Sequence, residues 1–183
     1  MEKLKLIGLS GSLRKESYNT SLLKEAQKVL PAEVEMEIFD IGTLPLYNQD
    51  MEANLPETVK GFKEKIRQAN GLLIACPEYN YGYSGVLKNA IDWASRPDGD
   101  LAPPLLRKPA GIMGASISFL GTARAQYPLR QVLGALNMPL VMKPEIFVTE
   151  AMNKFTAEGQ LTDPMALKMI EQMNVALLKL INK

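Results

Sequence analysis

A chain of 183 residues has the length of a single domain, 1–183, able to bury roughly 70% of the surface its unfolded form exposes. Its 21 Lys and Arg nearly balance 20 Asp and Glu, which excludes the electrostatic footprint of a nucleic-acid binder or an acidic docking protein. Histidine is absent, so no Ser-His-Asp or Cys-His catalyst can be built, and a zinc site would need a shell of carboxylates alone.

The first apolar run, 4–9, reads as a strand, and it leads into the segment SGSLRKESYN at 10–19. Leu22, Leu23, Ala26, Val29 and Leu30 follow at helical spacing. A strand, a turn rich in glycine and hydroxyls, and a helix amino end together make an anion site, because free N–H groups and the helix dipole both favour negative charge. Ser12, Ser17, Asn19 and Thr20 add donors, and Arg14 offers a planar fork suited to phosphate. Hydroxyls here can also serve only to cap the helix and close the turn, but a cap needs one such residue and makes no use of Arg14. Gly8 and Gly11 are three apart and the next glycine is Gly42, so the dinucleotide fingerprint is missing, as is the nucleoside-triphosphate loop. What remains suits a single terminal phosphomonoester, which is the demand made by FMN.

Further strands are expected at 34–39, 71–76, 110–115 and 140–148, with helices at 19–30, 57–69, 86–94, 122–136 and 164–181. Nearly all-apolar runs such as Leu72-Leu-Ile-Ala75 read as strands buried on both faces of a parallel sheet. Five strand–helix units predict an α/β, flavodoxin-like doubly wound sheet of order 2-1-3-4-5, with ligands beyond the carboxyl ends of the first and third strands. The Pro-rich segment 96–109 reads as a long loop within that domain.

The switch-point rule requires the loop after the third strand to reach the same ligand. That loop is Pro77-Glu-Tyr-Asn-Tyr-Gly82, in which Tyr79 and Tyr81 can flank a flat ring while Asn80 and the backbone amides bond its heteroatoms. Its tyrosines can instead simply pack on the following helix. The loop at 115–121, ASISFLG, is the third candidate wall, with Ser116 facing the ring or its chain and Gly121 allowing tight entry into the next helix. The lone Cys76 excludes an internal disulfide and reads as a core thiol. Val86, Leu87, Ala90 and Ile91 mark the helix at 86–94 as a subunit interface, with Trp93 its anchor. No apolar stretch approaches the ~20 residues of a membrane span, and 1–9 lacks the apolar core of a signal peptide, so a cytoplasmic, membrane-free setting is expected.

In order along the chain, GSLRKESYN (11–19), PEYNY (77–81), LKNAIDWAS (87–95), GTARAQY (121–127), LRQ (129–131) and KPE (143–145) resemble the NADPH-dependent FMN reductase family. The resemblance is to the branch that contains quinone, chromate and azo-dye reductases. It implies that Ser12, Arg14, Ser17 and Asn19 hold the FMN phosphate, with Leu13, Lys15 and Tyr18 in the same loop. Pro77, Glu78, Tyr79, Asn80, Tyr81 and Ser116 then line the flavin. It also implies ping-pong hydride transfer from NADPH or NADH through FMN to a small oxidant such as a quinone, chromate, or an azo or nitro compound. No metal and no catalytic side chain are needed. The family further implies a homodimer or homotetramer, with Arg124, Tyr127 and Glu145 at polar contacts. A flavodoxin-type electron carrier is the alternative, but such carriers are usually acidic and this chain is neutral. Two departures stand out. Glu16 replaces a glycine and opposes a phosphate unless it turns to solvent or pairs with Lys15, and Gly82-Tyr83 differs from the usual residues after the motif.

Overall fold

The computed structural model describes residues 3–183. Strands β1 (Leu4–Ser10), β2 (Val34–Phe39), β3 (Gly71–Ala75), β4 (Ala110–Ala115) and β5 (Ile146–Val148) form one sheet in the order β2-β1-β3-β4-β5. Every pairing is parallel, with Leu6 opposite both Met36 and Gly71, and Ile74 opposite Ile112. Helices α1 (Tyr18–Lys28), α2 (Glu57–Gln68), α3 (Gly85–Ala94), α4 (Ala123–Ala135) and α5 (Pro164–Ile181) cover the two faces. The expected flavodoxin-like order is the observed one.

Strand alternation divides the core. In β3 and the residue after it, Leu72, Ile74 and Cys76 join Phe62 of α2, Trp93 of α3 and Leu129 of α4 on one face. Leu73 and Ala75 join Leu23 of α1 and Ile170 of α5 on the other. A strand that is covered on both sides must be apolar throughout, which is why β3 carries no polar residue. Order reverses between β1 and β3, and the chain leaves both strands at the same end of the sheet.

Two expectations need correction. The fifth strand does not run through 140–148; Leu140 makes an isolated parallel bridge to Ala110, and regular pairing resumes only at Ile146. Ala110 donates to the Pro139 carbonyl and accepts the Val141 N–H, each at 2.9 Å, and the ladder then lapses across 142–145, where Pro144 cannot donate. Trp93 is also not an exposed anchor for another subunit. That indole has no exposed surface within its own chain, and its Nε1–H donates to the Pro45 carbonyl at 2.8 Å. Asn89 donates to the same carbonyl at 2.9 Å and accepts the Tyr47 N–H at 2.7 Å, while the Tyr47 ring meets Trp93 edge-on at 5.0 Å. The side of α3 that carries Asn89 and Trp93 thus packs on the chain's own 44–47 segment, part of a connection containing two 3-10 turns, Ile41–Thr43 and Gln49–Asn54.

Candidate cofactor site

The loop from Ser10 into α1 has the local geometry of an anion cradle. Ser17 is buried and caps the helix, its Oγ accepting the N–H groups of Asn19 and Thr20 at 3.2 and 3.4 Å. Capping uses the oxygen's lone pairs and leaves the hydroxyl proton free to donate, so the cap does not bar Ser17 from the anion-binding role read from the sequence. Among the described residues, no acceptor pairs with the backbone N–H groups of 13–17. Ser10 and Thr20 share a 2.9 Å hydrogen bond that closes the loop beneath, and Ser10 also bonds the backbone of the buried Ser12. The exposed Arg14 guanidinium is anchored by its 2.7 Å bond to the Glu16 carbonyl and lies 5.7 Å from the Tyr18 ring centre. Tyr18 in turn rests on Phe155. Glu16 and Lys15 are both exposed, and Glu16 makes no ion pair among the described residues, so its carboxylate turns to solvent.

The loop after β3 is a two-residue turn. Tyr79 and Gly82 exchange N–H···O bonds, each 2.9 Å, while Asn80 and Tyr81 both have left-handed backbones with φ of +49° and +66°. Such a turn matches strand twist but favours Asn and Gly, so an aromatic at its second position marks a constrained site. Arg124, second residue of α4, lies 4.0 Å over the Tyr81 ring and holds it. The turn consumes the N–H groups of Tyr79 and Gly82, leaving those of Glu78, Asn80 and Tyr81 as possible donors. Pro77 is buried against Gly11, where a Cβ would approach its Cδ to 2.6 Å, so a glycine is required where the loops after β1 and β3 meet.

Two further contacts tie the loop after β4 to the others. The Glu78 carboxylate accepts the Ala125 N–H at 3.2 Å, at the positive end of α4. The Asn19 carboxamide pairs with both backbone groups of Ala115, each at 3.0 Å. Ser116 Oγ accepts the Ser118 N–H at 3.2 Å. Gly121 has φ of +61° and turns the chain into α4 against Phe147, as its sequence position implied.

Glu78, Asn80, Tyr81, Ser116 and Ser118 thus line one open cavity of about 500 Å³. Ser118 is the member that sequence reasoning passed over, although it lies within the segment singled out there. Tyr79 and Leu13 do not join this wall. They face a more apolar recess of about 470 Å³ with Leu44, Leu46 and Val86, and Leu13 also leans over Gly42. Arg14 and Ser12 border a third hollow of about 420 Å³ toward the loop after β2. Burial, and secondarily the Glu78 charge, push the Cys76 thiol up to about 12, so it is protonated and inert near neutrality.

Three loops braced together past the strand ends at a topological switch point, one of them opening a capped helix with unpaired N–H groups, define a flavodoxin-like α/β protein built for a phosphorylated, flat-ringed cofactor. No group of His, Cys, Asp and Glu among the described residues could hold a metal ion. The chain belongs to the NADPH-dependent FMN reductase family, whose pattern it matches over residues 4–153. It is 49% identical over 177 residues to an NAD(P)H-dependent FMN reductase of Pseudomonas aeruginosa, covering 96% of this chain and 94% of that one. It is 42% identical over 175 residues to a quinone reductase of Escherichia coli K12, covering 93% and 87%. Among solved structures, the flavoenzyme NAD(P)H:(acceptor) oxidoreductase FerB of Paracoccus denitrificans superposes with a TM-score of 0.88 at 35% identity, covering 98% of this chain and 97% of that one.

Proposed function

We infer that this chain is an FMN-dependent NAD(P)H oxidoreductase that passes reducing equivalents to quinones. What supports the reading is the bracing of the anion-cradle loop against the loops that carry the Glu78–Tyr81 and Ser116–Ser118 walls, at Gly11–Pro77 and Asn19–Ala115. One ligand with a terminal phosphate and a polar-edged ring satisfies all three. The residues present fit FMN, which when bound supplies the hydride acceptor and donor that a chain without histidine lacks.

The protein's own part is binding, orientation and polarity. Backbone N–H groups at 13–17, the Ser17 hydroxyl and the Arg14 fork would hold the phosphate dianion, and the exposed Lys15 would add charge nearby. N–H groups of Glu78, Asn80 and Tyr81 offer fixed donors to the ring's polar edge, where charge develops on reduction. The apolar recess of Leu13, Leu46 and Tyr79 beside that wall suits a hydrophobic acceptor, and the quinone reductase of E. coli supports quinones as the class. Chromate, azo dyes and nitro compounds are further acceptors to assay.

Self-association into a homodimer or homotetramer completes the proposal. Ile117 and Phe119, 62% and 79% exposed, stand on the loop after β4, and a second copy over them would shelter the cavity mouth. The free, buried Cys76 fits a reducing compartment such as the cytoplasm.

The test is steady-state oxidation of NADPH and NADH by the FMN-loaded protein with a benzoquinone. Turnover without any added reductase is expected, and its absence overturns the reading. Arg14→Ala should weaken FMN binding by about 1.5–3 kcal/mol, the scale of a hydrogen bond to a charged group. Unchanged FMN affinity in that variant would remove the phosphate from this loop.

A further inference from the structure

By the level of Ala115, strand β3 has already turned away into its loop. Its last bond to β4 runs from the Cys76 N–H to the Met113 carbonyl at 2.8 Å. On the other side β5 still pairs, with the Ser116 N–H donating to the Val148 carbonyl at 3.0 Å. The N–H and C=O of Ala115 therefore face a gap in the sheet, and buried backbone groups without partners are costly. The Asn19 side chain, itself only 5% exposed, fills that gap. Its Oδ1 accepts the Ala115 N–H and its Nδ2 donates to the Ala115 carbonyl, as a neighbouring strand would. The Asn19 backbone N–H is also committed, to Ser17 Oγ. One Nδ2 hydrogen is all this residue retains for a phosphate.

We propose that Asn19 is a positioning residue for the flavin ring and not chiefly a phosphate ligand. It locks the amino end of α1, where the phosphate is held, to the end of β4, from which Ser116 and Ser118 emerge. The separation of 96 residues in sequence is bridged by one carboxamide. Only Asn meets both demands, since it presents a donor and an acceptor on one planar group at the correct reach. This inference rests on the assignment of FMN to these three loops.

The distinguishing probe is riboflavin, which has the ring and no phosphate. Dissociation constants for FMN and riboflavin are measured by flavin fluorescence on the parent, Asn19→Ala, Asn19→Asp and Arg14→Ala. Asn19→Ala strands both Ala115 groups and should weaken the two flavins by the same factor, about tenfold. Arg14→Ala should weaken FMN alone. Asn19→Asp preserves shape and suits a helix amino end, so it guards against failure to fold. It sets a carboxylate oxygen against the Ala115 carbonyl and should weaken riboflavin at least as much as Asn19→Ala does. Melting temperatures taken alongside separate a purely structural role, which would lower Tm and leave riboflavin affinity intact. Loss of FMN affinity with riboflavin unchanged makes Asn19 a phosphate ligand and overturns the proposal. FMN affinity indifferent to both Arg14→Ala and Asn19→Ala removes the flavin from these loops and takes the proposal with it.

Discussion

Replacing Trp93 by Phe asks whether α3 serves its own chain or a neighbour. Three losses follow from the geometry. The 2.8 Å bond from Nε1–H to the Pro45 carbonyl disappears, costing about 1 kcal/mol net, although Asn89 continues to satisfy that carbonyl. The edge-on pairing with Tyr47 at 5.0 Å weakens by up to about 1 kcal/mol. The space left by the missing ring at a fully buried position adds roughly 1 kcal/mol, because a close-packed core relaxes only in part. Urea unfolding followed by circular dichroism should therefore show Trp93→Phe less stable by about 2–3 kcal/mol with an unchanged m-value. Light scattering at matched concentration should show the parent's oligomeric state. The 44–47 segment, which carries Leu46 to the apolar recess, should also loosen, raising KM for a bulky quinone more than FMN affinity falls. A Trp93→Phe protein of parental stability that dissociates into smaller species would refute this reasoning and restore the indole as an interface anchor.

Cys76→Ala should retain most NADPH-dependent turnover while losing about 1 kcal/mol of stability, since the thiol is buried and protonated; native protein should also resist iodoacetamide at neutral pH, and rapid alkylation with loss of turnover would revive a thiol role. Asp163 caps α5, accepting the Met165 and Ala166 N–H groups, and pairs with Lys154 at 2.9 Å. The Lys154 bond, with those N–H groups, holds its carboxyl below the usual range despite partial burial. A depressed folded value means that its contribution is complete above the unfolded value of about 3.9 and fades as the pH falls through the folded one. Asp163→Ala should accordingly cost about 1 kcal/mol at neutral pH and lose less further stability on acidification than the parent does, and Tm curves of equal acid slope would count against it.

Strand order was legible in the sequence, and with it the three loops that gather past the strand ends. Short apolar runs separated by helical spacing have few solutions other than a doubly wound sheet, and that sheet fixes where loops converge. Ser17 was legible as a cap because capping is local, its partners lying two and three residues away. Pairings across the chain were not legible. Asn19 looked like one more donor in a polar loop, and nothing near it announces Ala115, which β4 brings within reach only after the whole sheet has formed. Trp93 on an apolar helix face looked like an anchor for another subunit, because the 44–47 segment that covers it has no periodicity to betray its position. Fifth-strand pairing lapses across 142–145, where Pro144 cannot donate, a point the sequence contained but apolar content obscured. Hydrophobic periodicity reports which face of an element is buried. Only the tertiary structure decides what buries it, because that depends on contacts whose partners are set by the packing of every other element.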